Sequence, residues 1–144
     1  MRFAIISAVC LLFAGCGLFR ATGSWVELSA DSDSGPVSEA IVVFVAQSVS
    51  ENGAAIILAA PPSEQNGNRV SIEVREKLLA RGYQLADGTS SGHRLRYLVS
   101  KYGERTLLRV SLNDTEASVL FARDAAGTLR ADAPLTMRQK GKVL

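Results

Sequence analysis

The residues of this chain that could do nucleophilic chemistry lie in one polar segment. Residues 88–92 are Gly-Thr-Ser-Ser-Gly, which matches the G-x-S-x-G pattern of a nucleophile elbow, and His93, the only histidine, follows directly. Such an elbow needs a strand before the serine, a helix after it, and an acid and then a histidine further along the chain. Here a strand is predicted after the segment, and no acid separates Ser90 from His93. We interpret the match as a chance feature of a polar turn.

Metal and phosphate chemistry are disfavoured by residue type and spacing. One histidine and two cysteines do not form the ligand clusters of zinc sites. Gly82, Gly88 and Gly92 have neither the spacing of a phosphate-binding loop nor its lysine. Glu73 and Glu76 are predicted to lie on the surface of a helix. The sequence therefore predicts a protein that is not an enzyme and that binds no cofactor or metal.

Cys16 is the remaining chemically distinctive residue. Arg2 gives the N-terminus a positive end, and residues 3–14 form an apolar run that is shorter than the roughly 20 residues of a membrane-spanning helix. These are the features of a secretory signal peptide. The run ends in Leu12-Phe13-Ala14-Gly15-Cys16, which resembles the lipobox of bacterial lipoproteins. The alternatives are an ordinary cleaved signal peptide that contains a cysteine and an uncleaved N-terminal anchor.

The lipobox resemblance implies a covalent modification. In lipoproteins the cysteine thiol receives a diacylglycerol, the signal peptide is cut just before it, and the freed amine is acylated. Cys16 would thus be the lipid attachment site and the first residue of a mature chain of 129 residues, since residues 1–15 of 144 are removed. Gly17, in place of an aspartate that favours the inner membrane, implies an outer-membrane lipoprotein that faces the periplasm. Acyl chains anchor such a protein without a spanning helix.

Charge is distributed unevenly along the chain. Residues 16–66 contain one base and six acids, whereas residues 67–144 contain 14 bases and eight acids. A basic half of this kind can bind nucleic acid or an anionic surface, but an unevenly charged solvated surface is more common. The bases are spread over predicted strands and a helix without clustering, so we expect no direct contact with nucleic acid.

The mature chain is predicted to consist of a tether and one domain. Residues 16–35 are rich in Ser, Ala, Asp and Gly, a composition that favours a flexible lipid-anchored tether. Within it, the patch around Trp25 is either a strand that docks on the domain or a peptide that adds to a partner's sheet edge. Residues 36–144 are predicted to form a small α+β domain.

Two helices are predicted in the first half of this domain. Asp33 or Ser34 is suited to cap a first helix, with Pro36 in its first turn and apolar residues at helical spacing up to position 49. A buried strand is predicted over 54–60. A second helix is predicted over 69–81, ended by Gly82, and residues 83–86 are predicted to form another strand.

The second half of the domain shows the alternation that is typical of antiparallel strands. From Arg94 and again from Leu107 apolar and polar residues alternate, and further strands are predicted over 117–122 and 128–137, with residues 138–142 as a disordered tail. The predicted fold is two helices packed on a mainly antiparallel sheet, a two-layer sandwich. Its outer sheet face bears Arg94, Arg96 and Arg109, which together with Trp25 are the candidate contact residues for a partner.

The chain resembles TrbH, a family of small lipoproteins of conjugal-transfer operons. The resemblance comprises the lipobox at Cys16, the helix that opens at Gly35-Pro36, and residues 70–83. It continues from Leu95-Arg96-Tyr97 to the segment 133–138, Ala-Pro-Leu-Thr-Met-Arg. It implies a structural component of a type IV secretion apparatus that carries DNA between cells. Its partners would be the membrane, through Cys16, and other channel subunits, and the setting is compatible with a homo-oligomer.

Two other functions remain open from the sequence. An envelope lipoprotein for outer-membrane assembly or lipopolysaccharide transport would bind the glycolipid on the face that bears Arg94, Arg96 and Arg109. A surface-exclusion or adhesion lipoprotein would instead be exposed outside the cell. Protease added to intact cells would digest only the latter.

Overall fold

The computed structural model describes residues 23–50, 53–59, 67–88 and 90–140. Two α-helices, α1 (Ser34–Ser48) and α2 (Gly67–Ala80), cover one face of an eight-stranded sheet, and a 3-10 helix (Asp31–Asp33) precedes α1. The strands are β1 (Trp25–Val26), β2 (Ala55–Leu58), β3 (Gln84–Ala86), β4 (His93–Tyr102), β5 (Arg105–Leu112), β6 (Thr115–Arg123), β7 (Leu129–Ala131) and β8 (Thr136–Gln139). The predicted α+β two-layer sandwich is confirmed.

The sheet is built around a meander of three long strands. Its order is β3-β2-β4-β5-β6-β7, with β1 also paired to β4 and β8 also paired to β6. The pairs β4–β5, β5–β6, β6–β7 and β6–β8 are antiparallel, whereas β1, β2 and β3 join by parallel pairing. Each of the outer long strands thus meets two short strands along one edge, β2 and β1 on β4, and β7 and β8 on β6.

The core lies between the helices and one face of the sheet. In β4 the residues Leu95, Tyr97 and Val99 are buried and alternate with more exposed neighbours, as the sequence pattern predicted. The helices contribute two stripes of fully buried side chains, which are Val37, Ile41, Val42, Phe44 and Val45 of α1 and Val70, Val74 and Leu78 of α2. Among the described residues, no helix is long and apolar enough to cross a membrane.

The start of α1 differs from the prediction. Asp33 stands at the N-cap position, but its side chain makes no capping hydrogen bond. Its carboxylate is buried, 2% exposed, and accepts two hydrogen bonds from Arg123 at the end of β6, Nη1 to Oδ1 at 3.0 Å and Nη2 to Oδ2 at 2.6 Å. This bidentate pair joins the first turn of the helical layer to the sheet.

The predicted tether requires a correction at its C-terminal end. Residues 1–22, which include the predicted signal peptide, Cys16 and the first part of the tether, lie outside the described residues. Residues 23–35 are not tether, because they pack on the domain. Val26 and Leu28 belong to the core, and the Glu27 amide donates to the Val99 carbonyl at 2.9 Å. Two apolar side chains and a strand pairing outweigh the polar composition of the segment.

Two predictions for the C-terminal segment are also wrong. The single strand expected over 128–137 is split into β7 and β8, which pair with different parts of β6. Pro134, which has no amide hydrogen, lies in the connection. The expected tail at 138–142 is structured in its first part, because Arg138 and Gln139 end β8 and the Lys140 amide donates to the Asp114 carbonyl at 2.7 Å. Lys142 lies outside the described residues.

A close backbone approach explains one glycine of the G-x-S-x-G segment. A Cβ built on Gly92 would lie 2.8 Å from the carbonyl oxygen of Ala55 in β2, a separation that packed atoms do not tolerate. A Cβ built on Gly88 would have no other atom within 4 Å. Gly92 is therefore required by the packing of β2 against the start of β4.

We predict that Gly92→Ala destabilises the protein by about 1–3 kcal/mol, the usual cost of overpacking a filled site. Gly88→Ala is the matched control from the same segment and should change the free energy of unfolding by less than about 0.5 kcal/mol. Urea unfolding followed by circular dichroism measures both. Equal stability of the two variants would contradict the packing role of Gly92.

Tyr97 is the largest fully buried side chain of the core. Among the described residues its hydroxyl has no partner at hydrogen-bond distance and geometry, although Ser71 of α2 is near enough to affect its pKa. Burial raises the pKa of Tyr97 to about 12, and the Ser71 hydroxyl and the charge of Arg75 offset part of that rise. The folded protein therefore favours the neutral phenol more strongly than the unfolded chain does.

We predict that Tyr97→Phe raises the free energy of unfolding by about 1 kcal/mol at neutral pH, because it removes a buried hydroxyl without a partner. Above pH 10 the unfolded chain releases the Tyr97 proton and the folded protein does not. The native protein should thus lose a further 1–2 kcal/mol, roughly, relative to the variant as the pH rises from 10 towards 12.

Urea titrations of the two proteins at neutral and alkaline pH give this difference. Tyr102→Phe is the control, because the Tyr102 side chain is 66% exposed and should show neither effect. A Tyr97→Phe variant that is less stable at neutral pH would show that the hydroxyl is satisfied in solution.

Candidate functional site

The face of the sheet opposite the helices carries the candidate binding residues. We call it the open face, and it comprises the outward positions of β1, β4, β5, β6, β7 and β8. Alternation along these strands places on it Trp25, Arg94, Arg96, Leu98, Leu107, Arg109, Ser111, Glu116, Ser118, Leu120, Thr136 and Arg138. The core residues of the same strands point to the helices, so the open face follows directly from the period of two along each strand.

A shallow groove of about 560 Å³ runs over the centre of the open face. Its charged lining consists of Arg96, Arg109, Arg138, Lys140 and Glu116, and Leu98 supplies apolar surface. Four cations thus surround a single carboxylate. A cleft that is lined mainly by one sign of charge concentrates the field and attracts groups of the opposite sign.

Glu116 is already matched by two of these cations. Its side chain is 17% exposed, and its Oε2 accepts hydrogen bonds from Arg138 Nε at 3.2 Å and Nη2 at 2.9 Å. Lys140 forms an ion pair with Oε1. The hydrogen bond from Lys140, with that from Arg138, holds the pKa of Glu116 below its ordinary value. This cluster orders the last strand and leaves one cation in excess.

Three further arginines of the open face, Arg94, Arg96 and Arg109, have no carboxylate partner among the described residues, in contrast to Arg105 and Arg130, which pair with Asp132 and Asp124. The side chain of Arg96 donates from Nε to the carbonyl oxygen of Gly23 at 3.1 Å, a neutral acceptor. Arg94 and Arg109 make no side-chain hydrogen bond or ion pair within the described part of the chain. These three guanidinium groups give the open face its uncompensated positive charge.

Trp25 lies beside the same arginines. It is opposite Leu98 in the β1–β4 pair, and Leu98 is opposite Arg109 in the β4–β5 pair, so the three side chains form one row across the sheet. The Trp25 side chain is 49% exposed, whereas its neighbour Val26 is buried in the core. From the sequence, the Trp25 patch and the basic strand face were two separate candidate surfaces. The structure places them on one face.

The structure brings most of the predicted contact residues together. Arg96 and Arg109 line the groove, while Trp25 and Arg94 lie on the same face outside it. Sequence reasoning missed Glu116 and assigned Arg138 and Lys140 to a disordered tail. The alternation of residues 115–123 could have predicted that Glu116 points to the open face. Nothing local in the sequence predicts that it pairs with Arg138 in β8 and with Lys140 directly after β8.

The residues of the G-x-S-x-G segment are engaged elsewhere. The Ser90 hydroxyl donates to Asp87 Oδ1 at 2.8 Å, and His93 Nδ1 accepts from the Asn113 side-chain amide at 3.1 Å. Serine and histidine therefore have different partners, and β4 follows the segment where an elbow needs a helix. Over the described ranges, no cluster of three His, Cys, Asp or Glu side chains could hold a metal ion.

A second polar cluster, which the sequence did not predict, joins the two helices. Glu73 lies between Ser34 Oγ, 2.6 Å from its Oε1, and Ser38 Oγ, 2.8 Å from its Oε2, and Lys77 Nζ donates to Ser38 Oγ at 2.7 Å. Burial raises the pKa of Glu73, but the serine hydrogen bonds and the Lys77 charge outweigh it and lower the pKa overall. Ser38 is fully buried, so this serine–lysine contact is out of reach of a substrate and serves helix packing.

Comparison with known proteins adds no relative to this description. No protein-family model, no curated protein and no solved structure matches the chain.

Proposed function

We propose that the protein is a lipid-anchored lipoprotein of the outer membrane, facing the periplasm, and a structural component of a conjugative type IV secretion apparatus. The lipobox at Cys16 supports the lipid anchor, and the resemblance to the TrbH family supports the role in a secretion apparatus. The folded domain supplies a rigid body with a basic open face and carries no arrangement of groups that suggests a reaction among its described residues.

The observation that carries the proposal is where the chain enters the domain. The Ser24 amide donates to the Ala59 carbonyl at 3.1 Å, and the Arg96 side chain donates to the Gly23 carbonyl, so Gly23 is already held on the domain. Seven residue steps separate Gly23 from Cys16. A chain of that length spans at most about 25 Å when fully extended. A lipid on Cys16 would therefore keep the domain against the membrane surface.

A short connection of this kind favours a structural role at the membrane. Restriction to a layer about as thick as the domain raises the effective concentration of the protein towards neighbouring envelope subunits, and a weak contact then becomes lasting. This increase in effective concentration does not require the longer flexible tether that was predicted over residues 16–35. Assembly depends instead on the anchor and on a domain whose orientation is limited by its entry point.

The groove favours a second candidate function, binding of a glycolipid for outer-membrane assembly or lipopolysaccharide transport. Its cations suit phosphate groups, and Leu98 and Trp25 offer apolar surface beside them. If this function is correct, the unmutated protein binds lipopolysaccharide, and neutralisation of Arg94, Arg96 and Arg109 abolishes the binding. A protein that binds none contradicts it.

We predict that Cys16→Ser removes the protein from the outer-membrane fraction, because the unlipidated chain keeps its uncut signal peptide and stays at the inner membrane, and that it removes secretion-channel subunits from the pull-down out of conjugating cells. Cys10→Ser is the matched control, because Cys10 lies within the apolar run of the signal peptide and leaves with it. Its membrane association and its partners should equal those of the native protein.

The proposal has two separable parts in this experiment. If both variants remain in the outer-membrane fraction, the lipid anchor is refuted. If the native protein is anchored but brings down lipid-transport proteins, or no transfer subunit, the role in secretion is refuted and the anchor stands.

A further inference from the structure

The charge of the open face is not balanced by the described carboxylates. Those on the face and at its margins are matched already, Glu116 by two cations, Asp132 by Arg105 at 2.8 Å and Glu27 by Lys101 at 3.7 Å. Within the described part of the chain, Arg94, Arg96 and Arg109 have no carboxylate partner. A long guanidinium with free N–H groups is suited to bind phosphate oxygens, so the open face is suited to an anionic, phosphate-bearing surface.

The geometry points to one source of phosphate: we propose that the open face lies on the anionic phospholipid surface of the membrane, with Trp25 at the headgroup level. Five adjacent strand positions at about 4.8 Å spacing make a broad face roughly 20–25 Å wide, suited to a planar surface. Tryptophan prefers the interface between headgroups and acyl chains. Trp25 is half exposed and shares a row with Leu98 and Arg109.

The position of Gly23, where the chain enters the domain, favours the same orientation of the open face towards the membrane. Gly23, whose carbonyl accepts the hydrogen bond from Arg96, lies at the margin of the open face. With the lipid proposed on Cys16, the seven residue steps to Gly23 keep this margin within about 25 Å of the bilayer. The orientation in the cell thus rests on the proposed anchor, whereas the affinity of the open face for anionic lipid does not.

Other occupants fit the open face less well. In a two-fold dimer through this face, the same patch on both subunits would bring unpaired arginines towards each other, which costs free energy. Nucleic acid would satisfy the arginines, and single-stranded bases could stack on Trp25, but the lipid proposed on Cys16 places a bilayer, not nucleic acid, near this face. Membrane docking leaves the outer surface of α2, with the exposed side chains Ile72 and Leu79, turned towards the periplasm.

The test uses the predicted mature chain, residues 16–144, with Cys16→Ser, so that neither an acyl chain nor the apolar run of the signal peptide contributes to binding. Trp25 is the only tryptophan and reports directly on the open face. We expect vesicles of phosphatidylcholine that contain phosphatidylglycerol to shift its emission to the blue and to sediment the protein. Vesicles of phosphatidylcholine alone should do so weakly, and about 1 M salt, with a Debye length of about 3 Å, should remove the difference.

The charge variant removes the two arginines whose side chains make no hydrogen bond or ion pair to a described residue, Arg94→Gln and Arg109→Gln together. Each basic residue near an anionic membrane contributes about fivefold in binding, so the pair should weaken partitioning by about 25-fold. The control is Arg69→Gln with Arg75→Gln, which makes the same change of net charge on α2. It should bind as well as the Cys16→Ser parent, and circular dichroism should show both variants folded.

Several outcomes would overturn the inference. They are equal binding to the two kinds of vesicle, equal loss of binding in the two charge variants, and an unchanged Trp25 emission on bound protein. Saturable binding of lipopolysaccharide or of a DNA duplex, without binding to phosphatidylglycerol vesicles, would assign the open face to that ligand instead. None of these results would refute the proposed anchor, which the membrane fractionation of Cys16→Ser tests separately.

Discussion

The long strand β4 imposes the constraint on which the rest of the structure depends. It has ten residues, and β5 pairs with one edge along most of its length, but β2 covers only the first part of the other edge. Unpaired amide and carbonyl groups in a buried sheet are costly. In the segment from Gly23 onwards, β1 pairs with the part of this edge that β2 leaves uncovered. Residues 23–33 are therefore part of the domain.

That pairing has consequences on both faces of the sheet. Towards the helices it buries Val26 and Leu28 and leads the chain to Asp33, whose bidentate pair with Arg123 joins the helical layer to β6. Towards solvent it places Trp25 next to Leu98 and brings Gly23 to Arg96. One short strand therefore sets the start of α1, the composition of the open face and the place where an anchor would act.

The open face shows how charge is arranged when a binding surface is built on a sheet. Glu116 gathers Arg138 and Lys140 and thereby holds β8 against β6, a structural use of charge. Arg94, Arg96 and Arg109 are spaced along β4 and β5 without such a partner. A strand surface keeps them apart and outward, so their charge is available to a partner, in contrast to the Glu73 and Lys77 side chains, which are used between the helices.

Local pattern determined a large part of this protein from its sequence. Periods of 3.6 and 2 predicted both helices, the meander, the core residues Leu95, Tyr97 and Val99, and the outward arginines, because side-chain direction in regular elements depends on residue spacing alone. The lipobox at Cys16 is likewise a linear signal, and it stays a prediction. The tertiary structure decided what depends on residues distant in the chain: that 23–33 is domain and not tether, that 128–137 forms two strands, that Gly92 must be small, and that Trp25 joins the arginines. Pairing between strands that are not neighbours in the chain sets these features, with Trp25 opposite Leu98 73 residues away, Ile56 opposite His93 37 residues away, and Thr115 opposite Gln139 24 residues away. No local spacing encodes which edge of β4 remains to be filled.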